Sequence, residues 1–261
     1  MKLCLLVAVI LMCIFLNSCN CINNDNLSQE SSEDSVQICV NPREWHTQQG
    51  IDVSRYQGDI DWKEVACDAT IRYAYIKASH AGGWGNRSGK IGSLNDPCYK
   101  RNIREARKAG LLVGAYHFFN GNDIEAELTN IRLTIRPEDV DLVPMIDVED
   151  TPNLNLSVVP GQLLEFMKAV EAHYGKRPIL YTNVSFYNKY IAGTPLSEYP
   201  LMIASYRDAP PQLSDNKQYI IWQYTNKGSV PGIDVSNQGF NSNVDRSRTL
   251  NGRWIEELLL N

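Results

Sequence analysis

Basic residues do not dominate this chain. Its 25 Lys and Arg stand against 30 Asp and Glu, a formal net charge of −5. That balance argues against a nucleic-acid binder, which needs a basic face to displace phosphate counterions. Cysteine is too sparse, at 7 in 261 residues, for a disulfide-packed miniprotein. The four histidines, His46, His80, His117 and His173, show no zinc-type spacing. There is no Gly-x-Ser-x-Gly elbow and no Walker loop. No resident metal or cofactor is therefore expected. What is present is ample apolar material: 43% of residues are hydrophobic and 21% charged. A chain of this length and composition can bury a sizeable core as one large domain or two small ones.

The N-terminus reads as an export signal. One positive charge, Lys2, precedes an apolar run over 3–16 that is too short to span a bilayer comfortably. Leu16-Asn17-Ser18-Cys19 then resembles a bacterial lipobox, in which the cysteine is lipidated after cleavage. Residues 1–18 are thus expected to be removed, leaving Cys19 as the lipid-bearing residue. The polar stretch 20–45, with Gln-Glu-Ser-Ser-Glu-Asp-Ser, lacks apolar periodicity and reads as a tether. Residues 46–261 form the expected folded domain. There the oxidising exterior permits a disulfide, and Cys67 with Cys98 is the favoured pair if one forms, which the sequence leaves open.

From Gly50 onward, short apolar runs alternate with amphipathic stretches. Strands are expected at 50–53, 72–77, 111–118, 141–148, 178–182, 201–205, 219–224 and weakly at 243–246. Helices are expected around 61–68, 99–109, 124–135, 161–174, 184–191 and 249–259. In the second of these, Tyr99, Ile103 and Ala106 form one apolar stripe among basic residues, and Gly110 follows as a stop signal. Alternation of this kind implies parallel strand pairing. Eight strands predict an α/β fold, a modified TIM-like (β/α) barrel with shortened or missing helices in its last third. A doubly wound open sheet is the structural rival. In a barrel, the active site lies at the carboxyl ends of the strands.

Acids stand at those ends. Asp52 lies in Ile51-Asp52-Val53, Asp147 and Glu149 in Ile146-Asp147-Val148-Glu149, and Asp245 in Asn243-Val244-Asp245. A carboxylate within an apolar strand loses solvation and normally avoids that place. Residues i and i+2 of a strand share a face, so Asp147 and Glu149 are expected in one pocket. Crowding raises the pKa of one of them, and an acid still protonated near neutral pH can protonate a leaving oxygen. Glycosidic cleavage needs such a pair. Tyr75, Tyr116, Phe118, Tyr181, Tyr206, Trp222 and Tyr224 stand at similar places. Each could serve as core or as a stacking platform for sugar C–H faces, and their proximity to the acids favours the platform. His117, in Ala-Tyr-His-Phe-Phe, is read as structural or pKa-tuning.

Gly50-Ile51-Asp52-Val53-Ser54, with Gln57-Gly58 and Ile60-Asp61-Trp62, resembles the opening of glycoside hydrolase family 25, the Chalaropsis-type lysozymes. The similarity continues through Ile76-Lys77-Ala78-Ser79, Asp96-Pro97, Gly110-Leu111 and Gly114-Ala115-Tyr116-His117-Phe118. It ends with Asp147-Val148-Glu149, Leu180-Tyr181-Thr182 and Trp222-Gln223-Tyr224, and so spans about 50–251. The resemblance implies a modified β/α barrel that hydrolyses the β-1,4 bond from N-acetylmuramic acid to N-acetylglucosamine in peptidoglycan. It implies Glu149 as general acid, Asp147 as its assistant, and Asp52 and Asp245 completing an acidic floor. Asp234, in a repeat of the opening motif, competes with Asp245. Two positions depart from the family: His80 stands where Glu is usual, and Arg246-Ser247-Arg248 is unusually basic. The expected partner is the peptidoglycan glycan strand, met by a monomer anchored at the cell envelope by its lipid. The alternatives are a chitinase-like hydrolase or endo-β-N-acetylglucosaminidase, and a non-catalytic wall-binding lipoprotein.

Overall fold

The computed structural model describes residues 47–80, 94–150, 152, 154–233, 243–250 and 252–261. The expected leader, Cys19, the tether and Asp234 lie outside these residues. The described strands are β1 (Gln49–Val53), β2 (Ile71–His80), β3 (Leu94–Asn95), β4 (Leu112–Phe118) and β5 (Met145–Asp147), followed by β6 (Ile179–Asn183), β7 (Leu201–Ala204), β8 (Ile221–Gly228) and β9 (Val244–Thr249). Going round, β1, β2, β4, β5, β6, β7, β8 and β9 pair in turn, and β9 returns to β1. The sheet closes as the expected barrel, with β3 folded back on the end of β2. Neighbours are parallel from β1 through β8, whereas β9 is antiparallel to both β8 and β1. The all-parallel expectation fails there. An antiparallel neighbour needs no crossover helix, and alternation says nothing about a strand that lacks one.

Helices α1 (Trp62–Cys67), α2 (Tyr99–Lys108), α3 (Ile124–Thr134) and α4 (Gly161–Tyr174) return the chain to the base of the barrel. Asp61 begins α1 by accepting from the N–H groups of Lys63 and Glu64, and Asp123 begins α3 by accepting from Ala126. In α2 the buried residues include Tyr99, Ile103 and Ala106, the stripe read from the pattern. After β6 the helical layer thins. Among the described residues it is reduced to α5 (Val184–Phe186), which runs on as a π-helical turn over Tyr187–Ile191, and short 3₁₀ turns such as Pro195–Glu198.

Two expectations need correction, and one open question is answered. The strand expected at 141–148 shortens to Met145–Asp147, because Pro144 has no N–H for the ladder. The helix expected at 249–259 is a single 3₁₀ turn, Ile255–Leu258. Strand β9 runs on to Thr249, and Gly252 then turns the chain with a left-handed φ of 70°. The tail's backbone is used instead at the barrel base. Val143 N–H donates to Leu258 at 2.8 Å, and Leu260 N–H to Asp141 at 2.7 Å. Finally, no disulfide joins Cys67 and Cys98. Cys67 ends α1, which runs down to the start of β2, while Cys98 precedes α2 at the opposite rim.

The interior explains two glycines. A Cβ on Gly50 would lie 2.2 Å from the Tyr73 ring, and one on Gly114 would lie 2.2 Å from the Tyr75 ring. Both rings lie across the barrel where those side chains are absent, filling its lower half and leaving the upper end open.

Candidate active site

Alternate residues of each strand enter the barrel. That rule brings Asp52 from β1, Lys77 from β2, Tyr116 and Phe118 from β4, Met145 and Asp147 from β5, Tyr181 from β6 and Asp245 from β9 to one cavity of about 330 Å³. Glu149 follows β5 by two residues and lines the same cavity. All four sequence-predicted acids therefore meet at the carboxyl ends of the parallel strands. Asp52 and Asp147 are 8% and 7% exposed, low values for groups that are ordinarily charged.

The acids fall into two hydrogen-bonded pairs. Asp52 stands opposite Asp245 in the β1–β9 register, and their side chains are bonded to each other. Asp147 is bonded in the same way to Glu149. Burial is the first cause lifting the pKa of every member. For Asp52 and Asp147 the second is the partner's charge, which raises them further, whereas for Asp245 and Glu149 it is the partner's hydrogen bond, which draws them down. Asp245 is pushed up to about 6. Lys77 opposes the rise at both Asp147 and Glu149. Each pair thus holds a proton at pH values where isolated carboxyls are bare. Asp147 Oδ1 is buried and receives no N–H or hydroxyl hydrogen bond.

The predicted aromatics divide. Tyr116, Phe118 and Tyr181 line the cavity. Tyr206 is 53% exposed and gives its hydroxyl to Gln223 Oε1 at 3.0 Å, which places it on the rim. Tyr75 does not reach the site. It is fully buried, with its hydroxyl donated to the Val143 carbonyl at the lower end. Trp222 and Tyr224 lie on the outer face of β8. Trp222 donates its indole N–H to Ser205, and Tyr224 its hydroxyl to Gln49. The residue between them, Gln223, is the one that turns inward.

Several lining residues were not read as functional. Lys77 follows Tyr73 and Tyr75 at the same period of two, a signal sufficient to place it inside; its Nζ lies 4.8 Å from the Phe118 ring centroid and 5.6 Å from that of Tyr116. Ser54, Tyr56 and Gln57 also border the cavity. Gln57 accepts from the Ser54 N–H at 2.9 Å and donates to the Asn243 carbonyl at 3.1 Å, tying the turn after β1 to the start of β9. His117 faces outward as a structural group, held between Ser79 Oγ at 2.8 Å and Glu127 Oε2 at 3.0 Å. His80 is drawn down to about 4 by burial and by the charges of Lys77 and Arg55, so it stands neutral beside the site.

Residues 51–233 match the profile of the glycosyl hydrolases family 25. The chain belongs to that family. As a family 25 member it is a glycoside hydrolase of the lysozyme type. The uncharacterized protein YegX of Escherichia coli (strain K12) is 34% identical over 209 residues, 77% of this chain and 72% of YegX. A family 25 glycosyl hydrolase structure from Bacillus anthracis is 30% identical with a TM-score of 0.62, covering 78% of this chain and 89% of its own. The bacterial lysozyme from Streptomyces coelicolor gives 25% identity and a TM-score of 0.64, covering 78% of this chain and 92% of its own. The unusual basic segment of this family 25 chain sits on the outer face of β9. Arg248 stacks over Trp222 at 4.7 Å, and Arg246 pairs with Asp68 at 3.7 Å.

Proposed function

We propose that this hydrolase cleaves the β-1,4 bond between N-acetylmuramic acid and N-acetylglucosamine in peptidoglycan, with Glu149 as the general acid. The observation that carries the reading is the bonded Asp147–Glu149 pair in a poorly solvated cavity, both members raised by burial. Glu149 is the less buried of the two, at the open side, where a glycosidic oxygen can approach its proton. Asp147 sits deeper in the same cavity. That position suits it to accept from an acetamido N–H and turn the amide oxygen on the anomeric carbon, so that the substrate supplies its own nucleophile. Asp52 and Asp245 keep the floor negative as positive charge develops on the sugar ring. Tyr116, Phe118, Tyr181 and the rim residue Tyr206 offer ring faces to the glycan.

Export follows from the leader over 1–18, and lipid on Cys19 would hold the enzyme at the envelope. Loss of lipid label in Cys19→Ala tests the anchor. For the chemistry, purified peptidoglycan is digested and the new reducing ends are identified by mass spectrometry. Muramic acid ends are expected; glucosamine ends would assign the chain to the endo-N-acetylglucosaminidases instead. Glu149→Gln should lower kcat roughly 10²–10⁴-fold, the usual contribution of a positioned acid, without loss of folding. Turnover equal to the parent would remove Glu149 from its role.

A further inference from the structure

Gln223 is 1% exposed and reaches across the barrel interior. Its strand, β8, is separated from β1 by β9, yet its Nε2 donates to Asp52 Oδ2 at 2.9 Å. Its Oε1 accepts two phenolic hydroxyls, Tyr181 at 2.9 Å and Tyr206 at 3.0 Å. Both lone pairs of that oxygen are therefore used, and an amide flip would turn the acceptor toward the Asp52 carboxylate. Two donors on one side and a carboxylate on the other leave a single favourable orientation.

The consequence falls on Asp52. One of its hydrogen-bonding directions is filled by Gln223 and another by Asp245. The same amide sets the hydroxyls of two rings that flank the open end. We propose that Gln223 is a positioning residue for the hydrolysis: one buried amide that aims Asp52 at Asp245 and locks the Tyr181 and Tyr206 hydroxyls to the acidic floor. This rests on the cavity being the site of cleavage, as proposed above.

Gln223→Glu tests it, because shape and an acceptor for both phenols are kept while the N–H donor is lost. When the introduced carboxyl is protonated, its O–H can replace the lost donor; when ionised, it faces Asp52 as a like charge. Kinetics on peptidoglycan should then show near-parent kcat at the acidic end of the profile. As the introduced carboxyl ionises, kcat should fall roughly tenfold or more, the scale of one charge-assisted hydrogen bond, with KM within about twofold. A uniform loss at every pH, or a profile identical to the parent's, overturns the proposal. A second measurement does not depend on turnover. In protein labelled with carboxyl ¹³C in Asp, Gln223→Leu should move the titration of the Asp52–Asp245 pair upward, since an N–H donated to a carboxylate favours its charged form. An unmoved titration in a folded variant also overturns it. If the parent fails to cleave peptidoglycan while this titration moves, the substrate reading falls and the positioning role stands.

Discussion

Asp245→Asn should make the protein more stable and less active. The Asp245 carboxyl is pushed up to about 6, first by burial, while in the unfolded chain it titrates near the ordinary aspartate value of about 3.9. Between those two pH values the folded state binds more protons than the unfolded one, so stability falls as pH rises through the window. Above it, ionising Asp245 costs the folded state up to about 3 kcal/mol. Asp52 shares the proton from directly across the β1–β9 ladder, so the cost is divided, and about 2 kcal/mol is the expected gain for the neutral amide. Urea unfolding, followed by the fluorescence of buried Trp62 and Trp222, measures it at about pH 8 and at about pH 3. The gain should be present at the higher pH and vanish at the lower. A pH-independent difference, or a loss of stability at about pH 8, refutes the argument that the acidic floor is held against its own desolvation.

Two further perturbations probe the frame around the site. Glu127 is 1% exposed and its carboxylate accepts from the N–H groups of Asn120 and Gly121 and pairs with His117. Glu127→Ala strands those buried groups just beyond the cavity-lining end of β4 and should cost about 3–5 kcal/mol in denaturant unfolding; a cost below about 1 kcal/mol contradicts that accounting. Gly114→Ala drives a methyl group to 2.2 Å from the Tyr75 ring and should destabilise by about 1–3 kcal/mol through overpacking. An unchanged melting temperature would mean that the ring has room to move.

The strand and helix alternation, the four acids and the thinning of helices after β6 were legible in the sequence because each leaves a local mark: an apolar run, a charge inside it, a missing amphipathic stretch. Asp147 and Glu149 could be placed together because a period of two is a covalent fact of extended chain. The same rule gave no help at β8. In Trp222-Gln223-Tyr224 two aromatics flank one amide, and hydrophobicity alone points the aromatics toward the interesting pocket. The closed barrel put them outside, against Arg248, and turned Gln223 onto Asp52.

Sequence by itself determined which residue types are available at strand ends, since burial of carboxyls in apolar runs is written in the order of the residues. Only the tertiary structure decided which face of each strand met the cavity, that β9 runs against its neighbours, and that Cys67 and Cys98 end at opposite rims. The physical reason is that alternation sets spacing but not phase. Phase comes from closing the sheet, when residues as distant in the chain as Asp52 and Gln223 settle within 2.9 Å.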